Sequence, residues 1–460
     1  MKAIKVAVSL ILAVVLMLST GGLAQDLWMI PAGLSFSLFG EKVASQTNGL
    51  APDPSTIWVA VTEDVERWPD VAHGGDQIVV VFTKTKNQIG NIYASVISES
   101  HPNPLLYPIT NNNVDCGHPA ISYHSSSGLF IVVYEKDHHE IIMQAISVMS
   151  GNLEIVGKPA VISGDDADKG YPAIACSQTN DSCLVAFQYE RSQVKGTYVD
   201  VDNSGINYVS PVYDLSDAIA AGRPYLAWGN GVGTYLVAYT EQKSTGEILP
   251  GYTHVIEHDD PLVDIKYLHP STPAVPPGFS LSGYDALVSD VAFDPCTQKF
   301  LISIDYDAAG DGSNFDVWTA ILHSTDSINF TPMAVADSPG SEHSSAISFV
   351  TTDSQSPSCG AMDRLLVGYI NDEVGLMAVE LRGNSSSSTP VYTCDAAHQH
   401  HVVECHTSSD RVNAVRILGG AGERRFLMVY QINQPFSSDE DIWGKFVRLL
   451  DLVYLPLVMR

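Results

Sequence analysis

The stretch GHPAISYHSSSGLFIVVYEKDHHEIIMQAIS, from Gly117 to Ser147, decides the fold. Pro119 opens a short apolar run, PAISY, and a small polar turn follows. A near-continuous apolar run, LFIVVY, comes next, then a charged turn and a third run, IIMQAIS. The same phrase starts at Arg67 (RWPDVAHGGDQIVVVF), Gly170 (GYPAIACSQTNDSCLVAF), Gly222 (GRPYLAWGNGVGTYLVAY) and Ser289 (SDVAFDPCTQKFLISI). Two looser copies begin near Ser344 and Val412 and carry RLLVGY and RFLMVY as their second runs. Further short runs such as PLLYPIT, KPAVISG and SPVYDLS lie between copies and supply a fourth strand. Pro69, Pro119, Pro172 and Pro224 set the period, and four short strands in about 50 residues is the size of a propeller blade. The expectation is an all-β chain forming a single β-propeller of seven four-stranded blades, or six or eight if an end is misread.

The second run of each copy is apolar on both faces, which a strand tolerates only when both sheet faces are covered. Blades stacked around an axis cover both faces without helices, and no long amphipathic helical pattern occurs. Ring closure protects the sheet edges. TIWVAVTE, Thr56 to Glu63, precedes the first inner strand and is expected to serve as the outer strand of the last blade. The C-terminal LVYLPLVMR is the competing segment. The Pro-rich insertion Asp259 to Pro277 is expected to be a loop, because prolines deny a ladder its donors. The organisation read from this is 1–24 signal peptide, 25–55 N-terminal segment, 56–451 propeller and 452–460 tail.

Lys2 and Lys5 precede an apolar core from Ala7 to Leu18 and a small-residue site at Gly22-Leu23-Ala24. That is the pattern of a secretory signal peptide, with a retained membrane anchor as the alternative. No later run is long enough to span a bilayer, so an exported protein, secreted or at the cell surface, is expected. Acidic residues outnumber basic ones 52 to 24, a formal charge of −28; a polyanion is repelled, and nucleic-acid binding is disfavoured. Export makes disulfides available to the seven cysteines. Cys176 and Cys183 flank one turn and face each other if their strands pair antiparallel. Cys394 and Cys405 bracket a His-rich segment as a second pairing, which leaves Cys116, Cys296 and Cys359 without assigned partners.

Pro119-Ala120-Ile121, Tyr235-Leu236-Val237-Ala238-Tyr239 and Asp441-Ile442-Trp443-Gly444 together resemble the repeats of secreted bacterial β-propeller proteins, many of unassigned function. The resemblance spans Arg67 to Leu450. It implies the fold and leaves the activity open, since propellers host unrelated functions.

Chemistry is expected where the copies differ. Inter-blade links and the turns from second to third strand share one end of a propeller, and both are acid-rich, so one face should be negative. DYDAAGDGSNFD offers Asp305, Asp307, Asp311 and Asp316 as calcium ligands, against the reading of a plain acidic turn; Ala309 and the short Asp316 depart from the Ca²⁺-loop pattern. HQHHVVECH offers His398, His400, His401 and His406 as a zinc set, against a solvated loop. Asp70, Asp115, Asp290 and Glu342, at or before inner strands, are the carboxylates a glycosidase would use. A G-x-S-x-G elbow and a phosphate loop are absent from the sequence. The leading reading is an exported binding or scaffold module, without catalysis, taking a protein, glycan or cell-surface ligand at the acidic face or channel mouth. The alternative is a carbohydrate-active hydrolase on the same scaffold.

Overall fold

The second strand of each repeat carries the core. In a computed structural model, Val79 and Val81 pack against Ile121, Phe130 and Val132 of the next repeat. Their neighbours Ile78, Val80 and Phe82 pack the other way, against Leu427, Val429 and Ile442 of the last. Seven apolar clusters result, one between each pair of adjacent repeats, and the last closes the ring. A fully buried Val, Leu or Phe contributes roughly 1.5–3 kcal/mol, so a strand buried on both faces anchors two interfaces. The described residues are 50–449 except 76, 98–103, 112, 217–219, 230–232, 243–247, 257–284, 296–297, 308–313, 324–330, 337–340, 351–363, 373–374, 382–387, 391–401, 406–410, 420–424 and 434–439. The insertion at Asp259 to Pro277, the expected signal peptide at residues 1–24 and the tail at 452–460 fall outside them.

The architecture is the seven-bladed, all-β propeller that the repeats predict, with antiparallel four-stranded blades. Inner strands are Val65–Gly74, Cys116–His124, Lys169–Cys176, Tyr225–Gly229, Asp285–Asp294, Glu342–Val350 and Arg411–Gly419, in blades 1 to 7. The ring closes through the N-terminal strand: Leu50–Ala60 pairs antiparallel with Glu440–Leu449, placing Trp58 opposite Trp443. This strand begins six residues before Thr56 and includes Pro52 and Pro54, which an outermost edge tolerates. One parallel contact, Ile248 with Asp285, joins the sheets of blades 4 and 5. Among the described residues no helix is long and apolar enough to cross a membrane.

Each recurring proline sits in a break of the inner ladder. Register shifts fall between Arg67 and Asp70, Gly117 and Ala120, and Gly170 and Ala173. In blades 1 to 3 the residue before the proline is left-handed: Trp68 at φ 54°, His118 at 48° and Tyr171 at 49°. A bulge leaves one backbone group out of the ladder, and proline, which has no N–H to donate, fits there without losing a bond. The same break recurs in blade 6 with Ser344 at φ 52°.

A second repeated bond ties loops together at one end of the ring. Asp137 N–H donates to Asp115 O (2.8 Å), Glu190 N–H to Asp168 O (2.7 Å) and Asp372 N–H to Ser341 O (3.0 Å). Each joins a turn between second and third strands to the link entering its own blade. The two loop sets therefore share a rim. Several of the acids assigned to that rim point inward: Glu66, Glu342, Asp307 and Asp441 are buried between blades. The negative charge at the surface comes from residues such as Asp115, Asp137, Asp165 and Asp166.

The Cys176–Cys183 disulfide forms as the hairpin register requires, with the two residues directly opposite. Cys116 is a buried thiol. Cys296, Cys359 and Cys394 lie outside the described residues, and with Cys394 the expected Cys394–Cys405 pairing.

Candidate functional site at the channel mouth

The bulge that accommodates each proline also lifts the residue before it onto the rim. In blades 1 to 3 that residue carries a ring, and the rings touch. Trp68 and His118 have centroids 3.9 Å apart, and His118 and Tyr171 4.2 Å. The row runs around the mouth and ends in Tyr171, which is 37% exposed. In blade 4 the same position is Arg223, just before Pro224.

A pocket of about 370 Å³ opens beside the row, between blades 2 and 3; His118, Glu135, His138, Asp168, Tyr171 and Arg191 are among its walls. Glu135, almost fully buried, accepts from His118 Nδ1–H at 2.8 Å and, through its other oxygen, from His138 Nδ1–H. Gly170 leaves space for this carboxylate, because a Cβ there would sit 2.9 Å from Glu135 Oε2. Arg191 pairs with Asp168 at 2.7 Å. Lys169 forms the floor: its buried ammonium donates to His139 O (2.8 Å), Asp165 O (2.7 Å) and Ala167 O (3.0 Å), and also meets the Asp165 carboxylate.

The inner strands place a second group near the axis. Asp70 from blade 1, Arg223 and Tyr225 from blade 4, Asp290 from blade 5 and Arg416 from blade 7 converge there. Asp70, Tyr225 and Asp290 occupy one ladder position, opposite Val81, Ala238 and Ser303 of their own second strands. Asp70 Oδ2 accepts the Ile121 N–H (2.8 Å), and Asp290 Oδ2 the Ile347 N–H (3.0 Å). Each carboxylate thus caps the inward edge of the next blade, an edge that finds no strand partner at the channel. Asp290 Oδ1 also accepts from Val291 N–H (2.9 Å). Arg416 Nε lies 3.7 Å from Asp70 Oδ1. The Arg223 and Arg416 guanidiniums lie 5.3 and 5.7 Å from the Tyr225 ring centroid.

Burial governs the titration of this group. It raises the Asp290 carboxyl to about 6, against the pull of Arg416 and two backbone N–H groups. Burial likewise raises Asp70, with Arg416 opposing. Arg223 is lowered by burial and by the charge of Arg416. For Arg416, burial also pulls downward, but Tyr225, Asp290 and Asp70 together more than reverse it.

The four carboxylates singled out from sequence therefore separate. Asp70 and Asp290 meet near the axis. Asp115 is on the rim, where Oδ1 accepts from Gly90 N–H (2.6 Å) and Oδ2 lies 4.0 Å from His138 Nε2. Glu342 is buried and accepts from Asn371 Nδ2–H at 2.9 Å. Of the calcium set, Asp305 is buried, and its oxygens accept from Ser344 N–H and the Ser345 hydroxyl, both at 2.7 Å. Asp307 and Asp316 are buried within paired strands, and Asp311 lies outside the described residues. Among the described residues no three His, Cys, Asp or Glu side chains gather as a metal site would need. The zinc set, His398, His400, His401 and His406, also lies outside them.

Arg416 and the aromatic row went unread in the sequence. The row had a signal, an aromatic or imidazole residue before Pro in three successive copies. Arg416 had none, since its repeat lacks the proline that marks the ladder break in the first four copies, and only the pairing with Val429 places it at the ladder position of Asp70, Tyr225 and Asp290.

No family model matches the chain, and no curated protein matches it in sequence. Among solved structures it is similar in fold to a Dyadobacter fermentans protein of unknown function, at TM-score 0.52 and 11% identity over 88% of this chain and 100% of that one. It is also similar to the polysaccharide lyase Uly1, at TM-score 0.51 and 7% identity over 90% and 94%. Drosophila Plexin A, in its complex with Semaphorin 1b, gives TM-score 0.51 and 8% identity over 88% of each chain. At such identities these likenesses establish the shared β-propeller fold and nothing narrower.

Proposed function

We propose that this protein is an exported binding module that takes a glycan at the channel mouth. One observation carries the reading: the row Trp68–His118–Tyr171 lies directly against a pocket walled by Glu135, His138, Asp168 and Arg191. Sugar rings present apolar C–H faces and equatorial hydroxyls. Flat aromatic surfaces receive the first, at low entropy cost because the rings are already fixed. Carboxylates and guanidiniums receive the second as charge-assisted hydrogen bonds. The left-handed bulges hold the rings in place before any ligand arrives.

Screening purified protein on a glycan array, followed by titration calorimetry on the hits, tests this. Trp68→Ala and Tyr171→Ala should each weaken binding by about tenfold or more, in line with roughly 1.4 kcal/mol per lost aromatic contact. Binding unaffected by both substitutions would refute it.

A second reading, a carbohydrate-active hydrolase, draws support from Asp290, whose carboxyl at about 6 suits a general acid. Chromogenic glycosides would then be cleaved by the wild type and spared by Asp290→Asn. No cleavage of any such substrate by the wild type removes this reading.

A further inference from the structure

The carboxylates and guanidiniums near the axis are close, yet the carboxylates are bonded elsewhere. Asp70 and Asp290 point their oxygens at the backbone N–H groups of Ile121, Ile347 and Val291. Arg416 holds Nη1–H on Val415 O at 2.8 Å and stays 3.7 Å from Asp70, beyond hydrogen-bond length. Arg223 makes no ion pair within 4 Å among the described residues, and its Nε is shielded from solvent without a hydrogen-bond partner. Two guanidiniums near one tyrosine ring, one without a direct counter-ion, repel each other and are costly to keep dehydrated.

We propose that Arg223 and Arg416 form a binding site for the carboxylate group of a small monocarboxylate ligand entering the channel. A guanidinium presents N–H donors in a planar fork that matches the two oxygens of a carboxylate. Such a group would take up the Arg223 donors that the fold leaves unused and separate the two like charges. Asp70 and Asp290 set the charge limit. With both ionised they balance the two arginines, so the site holds no surplus positive charge to offset the second charge of a phosphate dianion or the further charges of a polyanion. The formal charge of −28 over the whole chain adds to that discrimination. The two arginines bind without the aromatic row. A sugar acid and a simple aliphatic acid both carry such a carboxylate, and the probes separate the two.

The test uses the full chain and ligand-observed NMR titration with four probes: D-glucuronate, D-glucose, propionate and inorganic phosphate. Binding of glucuronate and propionate, with phosphate at least tenfold weaker, is the expected pattern. Glucuronate exceeding propionate identifies a sugar acid; equal affinities identify a simple acid. Arg223→Gln should weaken both carboxylates at least tenfold, and Arg223→Lys by less, because it keeps charge and loses the fork. The melting temperature of each variant without ligand reports whether it folds; should Arg223→Gln fail to fold, the lysine variant and the wild-type probe order decide. Absence of carboxylate binding to the wild type at 10 mM probe (on the order of a 3 kcal/mol interaction), equal binding of phosphate, or undiminished binding in a folded Arg223 variant would overturn the proposal.

Discussion

Replacing Lys169 by Met removes one buried ammonium and leaves its stem in place. In the wild type that ammonium satisfies the carbonyls of His139, Asp165 and Ala167 at 2.7–3.0 Å. Its own backbone N–H donates to His138 O at 2.7 Å and is not altered. Removing one partner from a fully buried charge pair costs about 3–5 kcal/mol. Here the Asp165 side chain is 57% exposed, so its share of the loss is small. The main cost is three part-buried carbonyls deprived of their donor, each at about 1 kcal/mol. The sum expected is about 2–4 kcal/mol. Urea unfolding read by tryptophan fluorescence measures it as a lower midpoint at unchanged slope. A loss under about 0.5 kcal/mol would mean that water replaces the ammonium freely, and that Lys169 does not hold the link Asp165–Ala167 in place.

Burial raises the Glu66 carboxyl from 4.5 to about 7, with Thr62 and Lys84 opposing and Asp441 and Asp64 reinforcing. The folded state therefore holds this proton more tightly than the unfolded one. The stability it contributes is complete below pH 4.5 and lost as pH rises to about 7, an amount on the order of 3 kcal/mol. Glu66→Gln lacks that loss, so between pH 4.5 and 7.5 its unfolding free energy should gain about that much relative to the wild type; a flat difference refutes the assignment. Replacing Cys176 and Cys183 together by Ser opens a loop of sequence separation 7, which chain entropy sets at about 2.5 kcal/mol. Equal urea midpoints for this variant and the oxidised wild type would contradict it.

The fold was legible in the repeat because its chemistry is local. A run such as LFIVVY is buried on both faces wherever it sits, and Pro119 marks a ladder break that any copy shows. The hairpin disulfide was equally local, since seven residues of sequence set its register. The N-terminal strand as the closing edge followed from chain order, as the strand precedes an inner one.

The site was legible only in part. Asp70 and Asp290 stood out by position, and the structure brings them near the axis; Asp115 and Glu342 stood out by the same rule and lie apart from them. The reason is that a repeat specifies how far a residue lies from the axis and at which end. It does not specify what that residue meets across the ring. Arg416 stands 346 positions after Asp70 and reaches it only because seven blades complete one turn. Burial was hidden in the same way: Glu66 and Lys169 look like rim charges in sequence, and the packing of one blade on the next encloses them. Sequence alone determined the blade, its strands and its bridge. The tertiary structure decided the aromatic row, the enclosed charges and the axial arginines, because each depends on the distance and angle between neighbouring or opposite blades, which ring closure sets.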